Sequence, residues 1–201
     1  LKQKIRRSLS SSGANEVLTY SFVHERVLKN SEQDPSRAYR LSNALSPDLQ
    51  YCRISILPSL LDKVHANIKS GHDEFMLFEI GKIHDKKLGF NDENLPIEKT
   101  FIDGVYANKK PQVGAPFYKV RKITERLMKD LSVEVNFVKI AESDSDVPAP
   151  FDAKRSAWIV SKNGDNLGIV GELVQSARRN FKLPDYTAAF SIDIEKLQEN
   201  L

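Results

Sequence analysis

The chain has 201 residues, 40% apolar and 28% charged, which suits one compact domain with a substantial core and is unlike disordered or fibrous composition. Thirty Lys and Arg against 27 Asp and Glu leave a net charge of +3, too small an excess to point to nucleic acid, whose binding proteins usually show a clustered basic face. The single cysteine, Cys52, excludes an internal disulfide and suits a reducing, cytoplasmic setting, and no apolar run reaches the roughly 20 residues of a membrane helix.

Leu1 and Leu201 lie within ordinary amphipathic patterns, so residues 1–201 are read as a single domain excised from a longer chain. Ile5 and Leu9, four apart among Lys, Arg and Ser, predict a short helix over 1–12 that Gly13 ends. Glu16 to Val23 is rich in β-branched and aromatic residues and predicts a strand, followed by a short helix from His24, a turn at Asp34-Pro35-Ser36 and a short strand at Tyr39-Arg40-Leu41. Leu57, Leu60, Leu61, Val64 and Ile68 recur at spacings of three and four, which makes 57–69 a helix with Pro58 in its first turn. Phe75 to Ile83 reads as a strand buried on both faces, 85–96 as a polar loop, and Thr100 to Tyr106 as another strand.

Pro111, Gly114 and Pro116 mark a second loop. Val120, Ile123, Leu127 and Leu131 then predict a helix from Phe117 to about Asp130, and Val133 to Ile140 a strand. Residues 141–150 form an acidic loop. Asn163-Gly164 between Trp158-Ile159-Val160 and Leu167-Gly168-Ile169-Val170 is a strong hairpin signal, with Ile159 and Ile169 or their neighbours expected on its inner face. A helix over Val174 to Phe181, a strand over Ala188 to Ile194 and a terminal helix from Glu195 complete the chain. The expected fold class is α+β, a largely antiparallel sheet flanked by helices.

Chemistry is sparse. His24, His65, His72 and His84 have no Cys or carboxylate at metal-ligand spacing, and His84 beside Asp85 reads as a solvated pair. Cys52 beside Arg53 has no evident base and reads as part-buried and inert. Glu142, Asp144 and Asp146 lack the twelve-residue calcium pattern, and no glycine-rich loop ends in Lys and Ser or Thr to hold phosphate. The pairs Arg6-Arg7, Lys109-Lys110 and Arg178-Arg179 read as solvated surface.

Several longer words occur in a fixed order: Asn15-Glu16-Val17-Leu18-Thr19-Tyr20-Ser21-Phe22, Leu41-Ser42-Asn43-Ala44-Leu45-Ser46-Pro47-Asp48, Arg53-Ile54-Ser55-Ile56-Leu57-Pro58-Ser59-Leu60-Leu61 and Leu77-Phe78-Glu79-Ile80-Gly81-Lys82. Pro150-Phe151-Asp152-Ala153-Lys154-Arg155, Ile169-Val170-Gly171-Glu172-Leu173 and Ala189-Phe190-Ser191-Ile192-Asp193-Ile194 continue the series. Together they resemble the β chain of phenylalanyl-tRNA synthetase, over nearly the whole length.

The resemblance implies a class II aminoacyl-tRNA synthetase-like fold and a tetramer of two α and two β chains that charges tRNA with phenylalanine. It implies a catalytic α chain as partner, with ATP and magnesium handled there, and no cofactor, metal or catalytic residue in this domain. Where the third class II motif has glycines and an Arg for ATP phosphate, this chain has Ser191, Asp193 and Lys196. Where the second has an Arg three residues ahead of a carboxylate, Met76 precedes Glu79, with Arg53 as a possible stand-in. The implied role is a non-catalytic assembly module; tRNA contact, or retained ATP and amino-acid binding, are the alternatives. The helix and strand used for dimerisation in class II folds suggest Leu57, Leu60, Leu61 and Val64 as interface residues.

Overall fold

The computed structural model describes residues 1–110 and 112–201; the turn position expected at Pro111 lies outside them. In chain order the elements are α1 (Lys2–Ser11), β1 (Ala14–Glu16), β2 (Phe22–Val23), α2 (Glu25–Asn30), β3 (Tyr51–Cys52), α3 (Leu57–Lys69), β4 (Glu74–His84) and β5 (Glu98–Asn108). They continue with α4 (Pro116–Asp130), β6 (Val135–Lys139), β7 (Phe151–Ser161), β8 (Asn166–Leu173), α5 (Gln175–Asn180), β9 (Tyr186–Asp193) and α6 (Ile194–Glu199). Seven strands form one sheet in the order β1-β4-β5-β9-β8-β7-β6, while β2 and β3 pair separately. Every neighbouring pair in the large sheet is antiparallel except β1 with β4. The α+β expectation therefore holds, with α3 at the expected bounds.

Alternation along the strands sends side chains to two cores, one on each face. Met76 and Phe78 of β4, Ile102 and Tyr106 of β5, and Phe190 and Ile192 of β9 join Ile5, Leu9, Val120, Leu127 and Leu197 from α1, α4 and α6. Leu77, Val105, Ala107, Ile169 and Ala189 face the other way, against Leu28, Leu57, Leu60, Leu61 and Val64 of α2 and α3. Ile159 and Ile169 lie in different cores, and it is the neighbour Trp158 that pairs with Ile169 across the hairpin and shares its face. The hairpin tip is as expected. Gly164 has φ +92° and its N–H donates to Ser161 O at 3.0 Å, a left-handed turn conformation that favours glycine.

Three expected strands are shorter than their composition suggests. The ladder of β1 ends when Val17 N–H donates to Phe78 O at 2.9 Å. Beyond it, Thr19 turns its N–H to the Glu79 carboxylate at 3.1 Å, so residues 17–21 leave the sheet. At Tyr39-Arg40-Leu41 only an isolated bridge from Arg40 to Tyr51 forms. Val133 is held to α4 by Met128 O at 2.9 Å, and Ser132 takes φ +62°, which delays β6 to Val135.

The four residues expected at an interface are corrected by burial. Leu57 is 1% exposed and Leu60, Leu61 and Val64 are 0% exposed, so the chain's own core consumes this face of α3 and leaves a partner no surface there. Burying an unpaired carboxylate is far more costly than losing methylenes. Leu60→Asp is therefore expected to abolish the cooperative urea transition, and Leu60→Ala to lower stability by about 3 kcal/mol. Lys63→Asp, on the exposed side of the same helix, is expected to change it by no more than about 0.5 kcal/mol.

Candidate functional site

A row of polar side chains crosses the middle of the sheet. Glu79 of β4 pairs in register with Asp103 of β5, and Asp103 with Ser191 of β9. Both carboxylates are buried, at 1% and 0% exposure. Like charges directly opposite on neighbouring strands repel, so the arrangement demands compensation.

Arg53 supplies it. Its Nη1 donates to Glu79 Oε1 at 2.8 Å and to Thr19 Oγ1 at 3.0 Å, and its Nε to Lys82 O at 3.0 Å. Thr19 Oγ1 donates in turn to Glu79 Oε2 at 2.6 Å. The guanidinium passes so close to β4 that a Cβ at Gly81 would stand 2.3 Å from Nη2. A side chain there would push the guanidinium off its partners. Arg53 thus faces inward to the ion pair and is not a free cation standing in for the missing Arg. Met76, at the place where the resemblance expects that Arg, is 3% exposed and packs in the opposite core.

Asp103 is anchored differently. The Leu57 N–H donates to its Oδ2 at 2.7 Å, which places a carboxylate at the start of α3, where a helix favours negative charge. Its Oδ1 is buried without a partner. Burial pushes its pKa up to about 6, against the opposing pull of the Leu57 amide and Arg53.

Beside this row lies a cavity of about 380 Å³ whose lining includes Phe101, Trp158, Lys99, Ser191, Asp193 and Lys196. Here the structure gathers the three residues singled out from the third motif. Asp193 Oδ1 accepts from Lys196 N at 3.1 Å and caps α6, while its Oδ2 accepts from Lys99 Nζ at 2.9 Å. Lys196 Nζ donates to Asn166 O at 3.0 Å. Arg37 on the same wall is paired with Asp85, whose carboxylate is 7% exposed. The expected solvated pairing of His84 with Asp85 is therefore corrected: His84 Nε2 meets Glu98 Oε1 at 2.8 Å instead.

The other candidates stay quiet. Cys52 is half-buried, and burial pushes its thiol up and keeps it protonated. Asp144 accepts from Trp158 Nε1 at 3.0 Å. Among the described residues no three His, Cys, Asp or Glu side chains are grouped to hold a metal. Asp103, Thr19 and Lys99 were missed in the sequence, although Asp103 is the lone charge within Thr100 to Tyr106, a signal of a buried, partnered acid.

Comparison with known proteins follows the same lines. The family described as "Phenylalanyl tRNA synthetase beta chain CLM domain" matches residues 1–194. The phenylalanine–tRNA ligase β subunit of Oceanobacillus iheyensis is 29% identical over 99% of this chain and 25% of its own length. That of Thermotoga maritima is 30% identical over 98% of this chain and 25% of its own. The chain thus spans about a quarter of the length of these curated relatives. A pyrrolysyl-tRNA synthetase from Desulfitobacterium hafniense superposes with a TM-score of 0.73 at 14% identity, covering 98% of this chain and 66% of that one. The fold is that of class II aminoacyl-tRNA synthetases.

Two outcomes test the polar row. Removing one partner of the buried ion pair, by Glu79→Gln or Arg53→Met, is expected to cost about 3–5 kcal/mol in urea unfolding, and the Arg53→Met/Glu79→Leu double variant to recover most of it. Between about pH 4 and pH 6 folded Asp103 still holds a proton that the unfolded chain has lost, so its contribution to stability falls as pH rises and levels off above about 6. Relative to the parent protein, Asp103→Asn is expected to gain on the order of 2–3 kcal/mol between pH 4.5 and pH 7.5.

Proposed function

Since the chain belongs to the phenylalanyl-tRNA synthetase β-chain family, of which it spans the CLM domain, we propose that it is an assembly module of that enzyme and makes or breaks no bond itself. The observation that carries this reading is the pairing of Asp193 with the α6 amide of Lys196 and with Lys99. A nucleotide phosphate in this cavity would need a free cation and close backbone approach. It would instead meet a carboxylate already holding the amide and the ammonium, and a Lys196 tied to a carbonyl. The residues present do not fit ATP, and in this reading ATP and magnesium are handled by the cytoplasmic enzyme's α chain.

Docking to the α chain, within a tetramer of two α and two β chains that charges tRNA with phenylalanine, falls in this reading to the outer side of α3. A groove of about 660 Å³ runs between Ser59, Asp62 and Lys63 of that helix and the excursion carrying Leu18 and Tyr20. Leu18 is 90% and Tyr20 71% exposed, and the Ser59 hydroxyl is buried there without a partner. Large apolar side chains bared together along a groove are of the kind that a partner chain covers.

Calorimetric titration with magnesium-ATP is expected to give no binding tighter than about 1 mM, or about 4 kcal/mol; tighter binding would end the non-catalytic reading. In pull-downs with the matched α chain, the Leu18→Asp/Tyr20→Asp variant is expected to be captured at least about tenfold more weakly, as for an apolar anchor worth more than 1.4 kcal/mol, with its urea midpoint unchanged. Undiminished capture would place the docking surface elsewhere.

A further inference from the structure

A third cavity, of about 910 Å³, is unlike the other two in charge. The cations and carboxylates lining the cavity beside Asp193 are equal in number, as they are in the groove beside α3. The third is lined by Lys109, Arg121, Lys139, Lys154, Arg155 and Arg178 against only Glu172 and Asp185. A chain of net charge +3 thus gathers its positive excess in one concave surface. Glu172 and Asp185 are each held by one of these arginines, at 2.7 and 2.9 Å. Among the described residues, Lys139 and Lys154 have no carboxylate within 4.0 Å, and both are exposed.

The fold makes this surface long. Its lining comes from one end of five neighbouring strands, β5, β9, β8, β7 and β6, which at about 4.8 Å per strand spans roughly 19 Å. The first turn of α4 forms one wall, with no acidic residue and no side-chain cap to offset its positive end. Aromatic rings are interleaved with the cations: Phe117 and Tyr118 on that turn, with Tyr118 64% exposed, and Phe137 under Arg121, whose guanidinium lies 4.9 Å from the ring centroid.

Cations spread along a groove match a chain of phosphates better than one phosphate, on which they would converge. The exposed Tyr118 ring beside them offers stacking to an unpaired base, which a carboxylate-bearing peptide does not require and a duplex cannot supply. We propose that this cleft binds single-stranded RNA, its phosphates on Lys139 and Lys154 and a base on Tyr118, while Lys109 stays paired with Asp73 at 3.9 Å. The proposal stands independently of α-chain docking and of the nucleotide reading, which concern other surfaces.

The test is fluorescence anisotropy of a labelled 12-nucleotide single-stranded RNA titrated with the protein at several salt concentrations. Binding should be tighter than about 100 μM at low salt and weaken steeply as salt rises. Lys139→Glu/Lys154→Glu should weaken it at least tenfold and flatten the salt dependence. Tyr118→Ala should weaken it about tenfold with the salt slope intact, as expected of lost stacking. These substitutions lie on exposed positions, and an unchanged urea midpoint would separate lost binding from lost fold. Absence of saturable binding at low salt would overturn the proposal, as would a charge-reversed variant within twofold of the parent. Equal binding of duplex RNA, or equal competition by an oligo-glutamate peptide, would overturn the single-stranded RNA assignment.

Discussion

Arg53 is the residue on which the second face of the sheet depends. Its N–H donates to Ser21 O at 3.0 Å and its carbonyl accepts from His84 N at 3.0 Å, while its guanidinium bridges Glu79, Thr19 and Lys82. One residue, through its backbone and its side chain, thus ties three separate stretches of chain, around 19–21, 53 and 79–84, into a single layer. Buried charges are retained only when each lone pair and proton finds a partner, and here the partners are the backbone turns that carry α2 and α3 onto the sheet. Asp103 extends the same logic by holding the first amide of α3.

Polar chemistry is distributed unevenly as a result. On the α3 face the charges are turned inward, with Glu79 neutralised by Arg53 and Asp103 held by the first amide of α3. At the far end of the strands, between α4 and β6, the cations Lys139 and Lys154 are left facing outward. A class II framework has in this chain a crowded centre and an open, positive rim. Shared architecture leaves such division of labour to side chains.

Elements whose signal is local were legible in the sequence. The three-and-four spacing of Leu57 to Ile68 located α3 to the residue, and Asn163-Gly164 located the β7-β8 turn. Elements set by distant partners were not. Residues 17–21 have the composition of a strand, yet Thr19 is claimed by a carboxylate 60 positions away. Apolar spacing identifies the face of α3 that is buried and is silent on what covers it, which is why Leu57, Leu60, Leu61 and Val64 were readable as an interface. The basic cleft was invisible for the same reason: its cations come from four elements, α4, β6, β7 and α5, and from Lys109 at the end of β5, scattered from position 109 to position 178 with no local pattern. Whole words of sequence revealed the family, whereas composition reached only as far as α+β.

The position of β9 bears on how the molecule comes into being. It is the last strand synthesised, yet it lies between β5 and β8 at the centre of the sheet, with Asp103 paired to Ser191 and Val170 to Phe190. Until residue 186 has been made, the chain has one hairpin of β4 and β5 and another of β7 and β8, with α4 packed on both but no strand between them. The aromatic ring of Phe190 also fills the place that Gly104 leaves open on β5, where a Cβ would stand 2.4 Å away. Assembly therefore waits on contacts between distant parts of the chain, which slow folding, and β9 closes the gap as a keystone closes an arch.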